Sequence, residues 1–327
     1  MRNFGGEIEL KGADSYYEHT ISGRSSLRLI IESANLQNKS FLVPEYVCDV
    51  VLLVLEEFKI TYDFYSVDLD LGISLPSNSD DYDVLYIVKY FGGLSTSARI
   101  ELEEWKKELL VDDVFSPQLD SYDFAANSWF TFNSLRKISP ISGFSQIRGS
   151  RKLDLPRYHP NELYDDLNYE GKSLKYSYKN GVIIDEDGYL NCFKKAEKIL
   201  DKDTQITIPA SRSIAEAIEF HHKLDQNQKL ANINYQFASA IFEKHILQID
   251  SNFRTHVVVQ TEYADEVRHI LKRDSIFLPK YWRQDIRKHE RNIEKNNYLV
   301  IPTGYFIKFS ELQEACQAIK NICEKIG

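Results

Sequence analysis

The sequence predicts an α/β protein with a mainly parallel sheet and a smaller second domain. Three observations carry that expectation. Strand and helix signals alternate regularly through the first half; the stretch DVLYIVKY over 83–90 reads as a strand buried on both faces; and 327 residues exceed the roughly 250–300 at which a single hydrophobic core stops growing. Parallel strands need long crossovers, so repeated alternation of strand and helix points to a sheet with helices on both sides.

In chain order, residues 25–34 read as a helix opened by serine, 40–43 as a short strand closed by Pro44, and 46–58 as a helix by apolar spacing. Residues 59–65 are rich in β-formers, 97–108 form a charged amphipathic helix, and 109–111 run as a strand into Asp112-Asp113. Trp129-Phe130-Thr131-Phe132 is an aromatic strand that leads to Lys137. The polar stretch 148–185 reads as the passage between domains, which sets a large domain at 1–185 and an α+β domain at 186–327. In the latter, helices are expected over 190–200, 214–224, 231–247, 264–273 and 310–326, and strands over 255–260 and 298–301.

A hydrophobic content of 43%, with one Met and nine Pro, is that of a packed globular chain rather than a disordered one. The net charge of −9, with basic residues scattered, argues against nucleic acid and anionic membrane surfaces as partners. The most apolar stretch, 47–55, is broken by Asp49 and falls short of the ~20 residues a bilayer demands; the beginning of the chain lacks a secretory signal, so a cytoplasmic location is expected. Cys48, Cys192, Cys316 and Cys323 fit neither a zinc site nor a disulfide framework, and no metal is expected.

In a parallel α/β sheet, ligands sit beyond the carboxyl ends of the strands. Four segments fall there. Ser22-Gly23-Arg24-Ser25-Ser26 opens a helix, whose free N–H groups suit a phosphate, although serine there is also an ordinary cap. Asp112-Asp113 ends an apolar strand, where a carboxylate can pair with a protonated ring nitrogen or simply begin a turn. In Ser134-Leu135-Arg136-Lys137, burial beside aromatics can lower an amine's pKa as Schiff-base chemistry requires, although a lysine there is also an ordinary solvated one. Tyr90-Phe91-Gly92-Gly93 allows close approach of a ligand, or forms a plain strand-to-helix turn.

Taken in order with Pro44-Glu45-Tyr46-Val47-Cys48, Asn234-Tyr235, the segment 276–282 and Leu299-Val300-Ile301-Pro302, these segments resemble the DegT/DnrJ family of pyridoxal-phosphate sugar aminotransferases, especially a shorter branch of it. The resemblance implies the aspartate aminotransferase fold and a homodimer with active sites at the subunit interface. It implies Lys137 as the Schiff-base lysine, Asp113 as partner of the pyridine nitrogen, and Arg24 and Ser25 in the phosphate cup. Tyr46 is the implied stacking residue and Ser134 a further phosphate contact. Ser116 stands where the family commonly has a Gln or His that contacts cofactor or substrate, and Gly143-Phe144 replaces the usual Gly-Gly, which would narrow the pocket.

The activity so implied is transfer of an amino group, most often from glutamate, to a nucleotide-linked keto-deoxysugar for a surface polysaccharide or glycoconjugate. Alternatives are a pyridoxal-phosphate enzyme acting on a non-sugar ketone, a dehydratase, or a catalytically silent sugar-binding relative.

Overall fold

The structure, a computed structural model, describes residues 16–119, 124–154, 158–251, 253–282 and 298–326. The first half supplies β1 (Tyr16–Thr20), α1 (Gly23–Ser33), β2 (Phe41–Pro44), α2 (Asp49–Glu57), β3 (Tyr62–Val67), β4 (Ile73–Ser74), β5 (Val84–Val88), α3 (Thr96–Glu104), β6 (Glu108–Asp112), β7 (Ser128–Phe132) and β8 (Ser145–Gly149). The strands form one sheet in the order β1-β8-β7-β6-β5-β2-β3-β4, in which β7, β6, β5, β2 and β3 run parallel. β8 is antiparallel to both of its neighbours, so β1 again points the same way as the parallel block.

Strand alternation sorts the side chains into two layers. Tyr86, Val88 and Leu110 join Leu27, Ile30, Leu52 and Leu55 of α1 and α2 on one face. Leu85, Ile87, Leu109 and Val111 join Ala98 and Leu102 of α3 on the other. Every residue of β5 is buried, as a centrally placed parallel strand requires. Buried Arg28 of α1 donates from Nε and Nη2 to Glu57 of α2 at 2.7 and 2.8 Å, tying the two helices of the first layer together.

The passage expected at 148–185 contains α4 (Glu162–Lys179), which packs along α5 (Glu186–Lys202) as a helical hairpin; the polar stretch is therefore not a loop. After α6 (Ser211–His222) and the long α7 (Leu224–Phe242) come β9 (His256–Gln260), α8 (Ala264–Leu271), β10 (Tyr298–Pro302) and α9 (Phe309–Ile326). β9 and β10 pair antiparallel. Val257, Val259, Leu299 and Ile301 pack with α7, α8 and α9, whereas Val258, Tyr298 and Val300 turn to the core of the large sheet. The small sheet thus buries both faces and joins the two cores. Cys316 and Cys323 share α9 as free thiols. Among the described residues no helix is long and apolar enough to cross a membrane.

Candidate active site

A cavity of about 150 Å³, open at its mouth, lies over the carboxyl ends of β6 and β7 on the face covered by α1 and α2. Its walls include Ser22, Gly23 and Arg24, then Cys48 and Val51, Tyr86, Asp112 and Val114, Phe132, Ser134, Arg136 and Lys137, and Trp282.

The start of α1 forms one end. Ser22 caps the helix, its Oγ accepting from Ser25 N at 3.3 Å, and no acidic residue sits in the first turn to neutralise the positive end of the helix dipole. Gly23 packs closely, because a Cβ there would lie 3.3 Å from the Phe132 ring and 3.5 Å from Val114. The turn is held by hydroxyls: Thr20 to Ser26 at 2.8 Å and Ser26 to Ser145 at 2.7 Å, which links β1, α1 and β8. Ser25 is buried with its hydroxyl 3.2 Å from that of Thr207; it supports the turn from behind and is not part of the cavity wall.

Three cations converge there. Arg24 and Arg136 line the cavity, and Arg136 Nε is buried without a hydrogen-bond partner. Lys137 ends a short 3₁₀ turn over Leu135–Lys137, with its Nζ 5.2 Å from the centroid of the buried Phe115 ring. Burial holds its ammonium below the ordinary lysine range, an effect that Cys48 and Asp112 oppose and Arg136 reinforces.

The two aspartates part company. Asp112 is the last residue of β6 and shares the parity of Leu110, so it faces the cavity, where its Oδ2 accepts from Tyr86 OH at 2.8 Å. Burial raises its pKa, and the nearby Lys137 works in the opposite direction. Asp113 takes the other side, with Lys89 Nζ donating to its Oδ2 at 2.6 Å and Ser116 Oγ donating to its Oδ1. Neither Asp113 nor Ser116 lines the cavity; Ser116 borders a separate pocket with Gly92, Leu224 and Phe253.

Other expected positions also resolve. Ser134 lines the cavity. Tyr46 is buried outside it, stacked on Tyr90 with centroids 5.4 Å apart and 5.6 Å from Trp282. Phe144 is a core residue beside His19 and does not narrow the cavity. Gly93 approaches another segment of the chain rather than a ligand, since a Cβ on it would meet Ile249 at 2.2 Å and Asp250 O at 2.7 Å.

Among the cavity residues to which sequence reasoning gave no role of their own are Arg136, Cys48, Tyr86 and Trp282. The first three lay inside quoted stretches, and Trp282 closes the segment 276–282.

Behind Phe115 lies a histidine–tyrosine pair. His256 Nε2 is 3.1 Å from Tyr281 OH and its Nδ1 is 2.8 Å from Thr255 Oγ1. Burial, aided by Lys137, pushes His256 down to about 3, so it is neutral at ordinary pH.

No family model matches the chain, and no curated protein matches it in sequence. Solved structures do match its fold. A Streptococcus pneumoniae protein described as a sugar aminotransferase, Spr1654 in its PMP form, superposes with a TM-score of 0.63 at 10% identity over 95% of this chain and 88% of its own. Helicobacter pylori PseC, an aminotransferase involved in pseudoaminic acid biosynthesis, gives 0.62 at 10% identity over 95% and 87%. A DegT DnrJ EryC1 StrS aminotransferase from Brucella abortus gives 0.59 at 12% identity over 94% and 86%. The chain therefore has the aspartate-aminotransferase-like fold of these proteins.

Proposed function

We propose that the chain is a pyridoxal-phosphate-dependent aminotransferase in which Lys137 carries the cofactor. One observation carries the reading: a half-buried lysine of lowered pKa, a buried carboxylate and an acid-free helix start beside two arginines all line a single cavity. Those groups fit the cofactor. The start of α1, Ser134, Arg24 and Arg136 suit its phosphate, and the unpartnered Arg136 Nε supplies a spare donor. Cys48, Val114 and Phe132 offer walls for a flat ring.

Asp112 takes the ring-nitrogen role that the family resemblance assigns to Asp113, because only Asp112 faces the cavity. Buried and hydrogen-bonded to Tyr86, it is placed to hold a cationic ring nitrogen. When bound, the cofactor supplies an electron sink at the carbon that gains or loses its proton. Lys137 would hold the cofactor's aldehyde carbon and would move the proton at the substrate carbon; desolvation keeps its amine available as a base.

The acceptor in this reading is a keto group on a nucleotide-linked deoxysugar, with glutamate as donor, in a cytoplasmic homodimer. The sugar aminotransferases among the structural neighbours support that choice. Incubating purified protein with glutamate and a panel of nucleotide keto-sugars, with product mass as readout, tests it. Amination of a non-sugar ketone alone would refute the sugar assignment.

A further inference from the structure

Two acids on α5 reach the arginines of the cavity from outside it. Arg24 Nη2 donates to Glu197 Oε2 at 3.0 Å and Arg24 Nη1 to Asp201 Oδ1 at 2.7 Å. Arg136 Nη1 donates to the other oxygen of Glu197, Oε1, at 2.8 Å. One carboxylate thus grips two guanidiniums whose side chains are 12% and 19% exposed, and neither acid lines the cavity. Arg136 holds the Glu197 carboxyl below its usual range against the effect of burial, and Arg24 and Lys137 add to that pull.

Without Glu197, three like charges at one end of the cavity would repel, and the two long arginine side chains would be freer to turn toward solvent. We propose that Glu197 is a positioning residue for the phosphate end of the cavity: it fixes Arg24 and Arg136 from behind so that their remaining donors face a bound dianion. The inference rests on the cofactor reading given above. Its sign is distinctive. Coulomb's law alone says that removing an acid near an anion site tightens anion binding, whereas loss of a pre-set geometry weakens it.

The test compares wild type, Glu197→Gln, Glu197→Asp and Asp201→Asn, each stripped of cofactor, in absorbance titrations with pyridoxal phosphate and with pyridoxal. The expected result for Glu197→Gln is affinity for pyridoxal phosphate about tenfold lower with pyridoxal unchanged, the loss associated with one oriented charge-assisted hydrogen bond. Glu197→Asp should fall between it and wild type, and Asp201→Asn, which touches Arg24 alone, should lose less. Near-ultraviolet dichroism without ligand checks folding; if the glutamine variant does not fold, the aspartate variant decides, and full wild-type affinity there overturns the proposal. So does a glutamine variant that binds pyridoxal phosphate as tightly as wild type, or one that loses both ligands equally. If wild type itself takes neither ligand, the cofactor reading falls and this inference with it; normal wild-type binding with unchanged variants sinks the role of Glu197 alone.

Discussion

Asp112 and Asp113 adjoin in the chain but serve opposite sides of the sheet edge: the carboxylate of Asp112 accepts from Tyr86 OH at 2.8 Å on the cavity side, and that of Asp113 meets Lys89 Nζ at 2.6 Å on the other. Their substitutions should therefore fail differently. Asp112→Asn should remain folded and slow transamination by a factor of about 10² or more, as loss of an oriented charge at the reacting group does. Asp113→Asn should instead lose stability, by up to roughly 3–5 kcal/mol, because it removes the carboxylate that faces the buried Lys89 ammonium at 2.6 Å. Paired melting curves and turnover assays separate the two, and equal stability with a rate loss confined to Asp113→Asn would reverse the assignment.

Lys137→Ala should abolish the covalent adduct. Wild-type protein treated with pyridoxal phosphate and borohydride should gain the mass of one reduced cofactor, mapped to the Lys137 peptide. The variant should gain none. Loss of a positioned base typically costs about 10²–10⁴-fold in rate, and an adduct mapped to another lysine would contradict the assignment.

Lys172 of α4 donates to Ser139 O at 3.2 Å and to Ile141 O at 2.6 Å, just beyond the Lys137 turn. Burial, then Arg136, pushes its ammonium down to about 7, opposed by Glu216. An unfolded lysine near 10.5 binds the proton more tightly, so this group favours folding increasingly as pH rises from about 7 toward 10.5. Melting temperatures should show such a rise in wild type that Lys172→Met lacks. Parallel pH profiles would discount the lowered pKa.

His256 should stay neutral far below the usual histidine range, because its folded pKa is pushed down to about 3. Two-dimensional NMR of the histidine ring nitrogens between pH 5 and pH 8 should show one ring that does not titrate, and His256→Gln should remove that signal. A ring that titrates near the ordinary ~6.5 at this position would contradict the buried pair.

Gly93→Ala should destabilise by about 1–3 kcal/mol through overpacking. The new methyl would fall 2.2 Å from Ile249 Cγ2 and 2.7 Å from Asp250 O, where Leu94 bridges to Asp250. Chemical denaturation midpoints measure the loss, and an unchanged midpoint would mean that the segment at 249–250 yields freely.

The alternating elements from α1 to β6 were legible because each has its own periodicity and turn. α4 was not, since its buried positions include Asp165, Asn168 and Gly171 beside Tyr164, and a helix packed through polar and small residues has no apolar stripe to read. β8, Ser145–Gly149, is short and only alternately buried, and its place between β7 and β1 depends on a pairing across more than a hundred residues. Motif order placed Lys137 and the α1 turn in one site, yet the resemblance chose Asp113 for the ring nitrogen where Asp112 is the one that faces the cavity. That choice depends on strand parity, which is fixed only once β6 pairs with β5 and β7. Glu197 was invisible for the same reason, since its link to Arg24 spans 173 positions.

The cavity wall is assembled from stretches at 22–27, 48–54, 112–114 and 132–137 together with Tyr86 and Trp282, so no local piece of the chain can form it. Closing such long loops costs chain entropy that the finished pocket must offset. A ligand that fits it selects the finished fold over every partly folded one, and stabilises it by RT ln(1 + [L]/Kd). A cofactor that binds there would therefore act as a thermodynamic check on the completed chain.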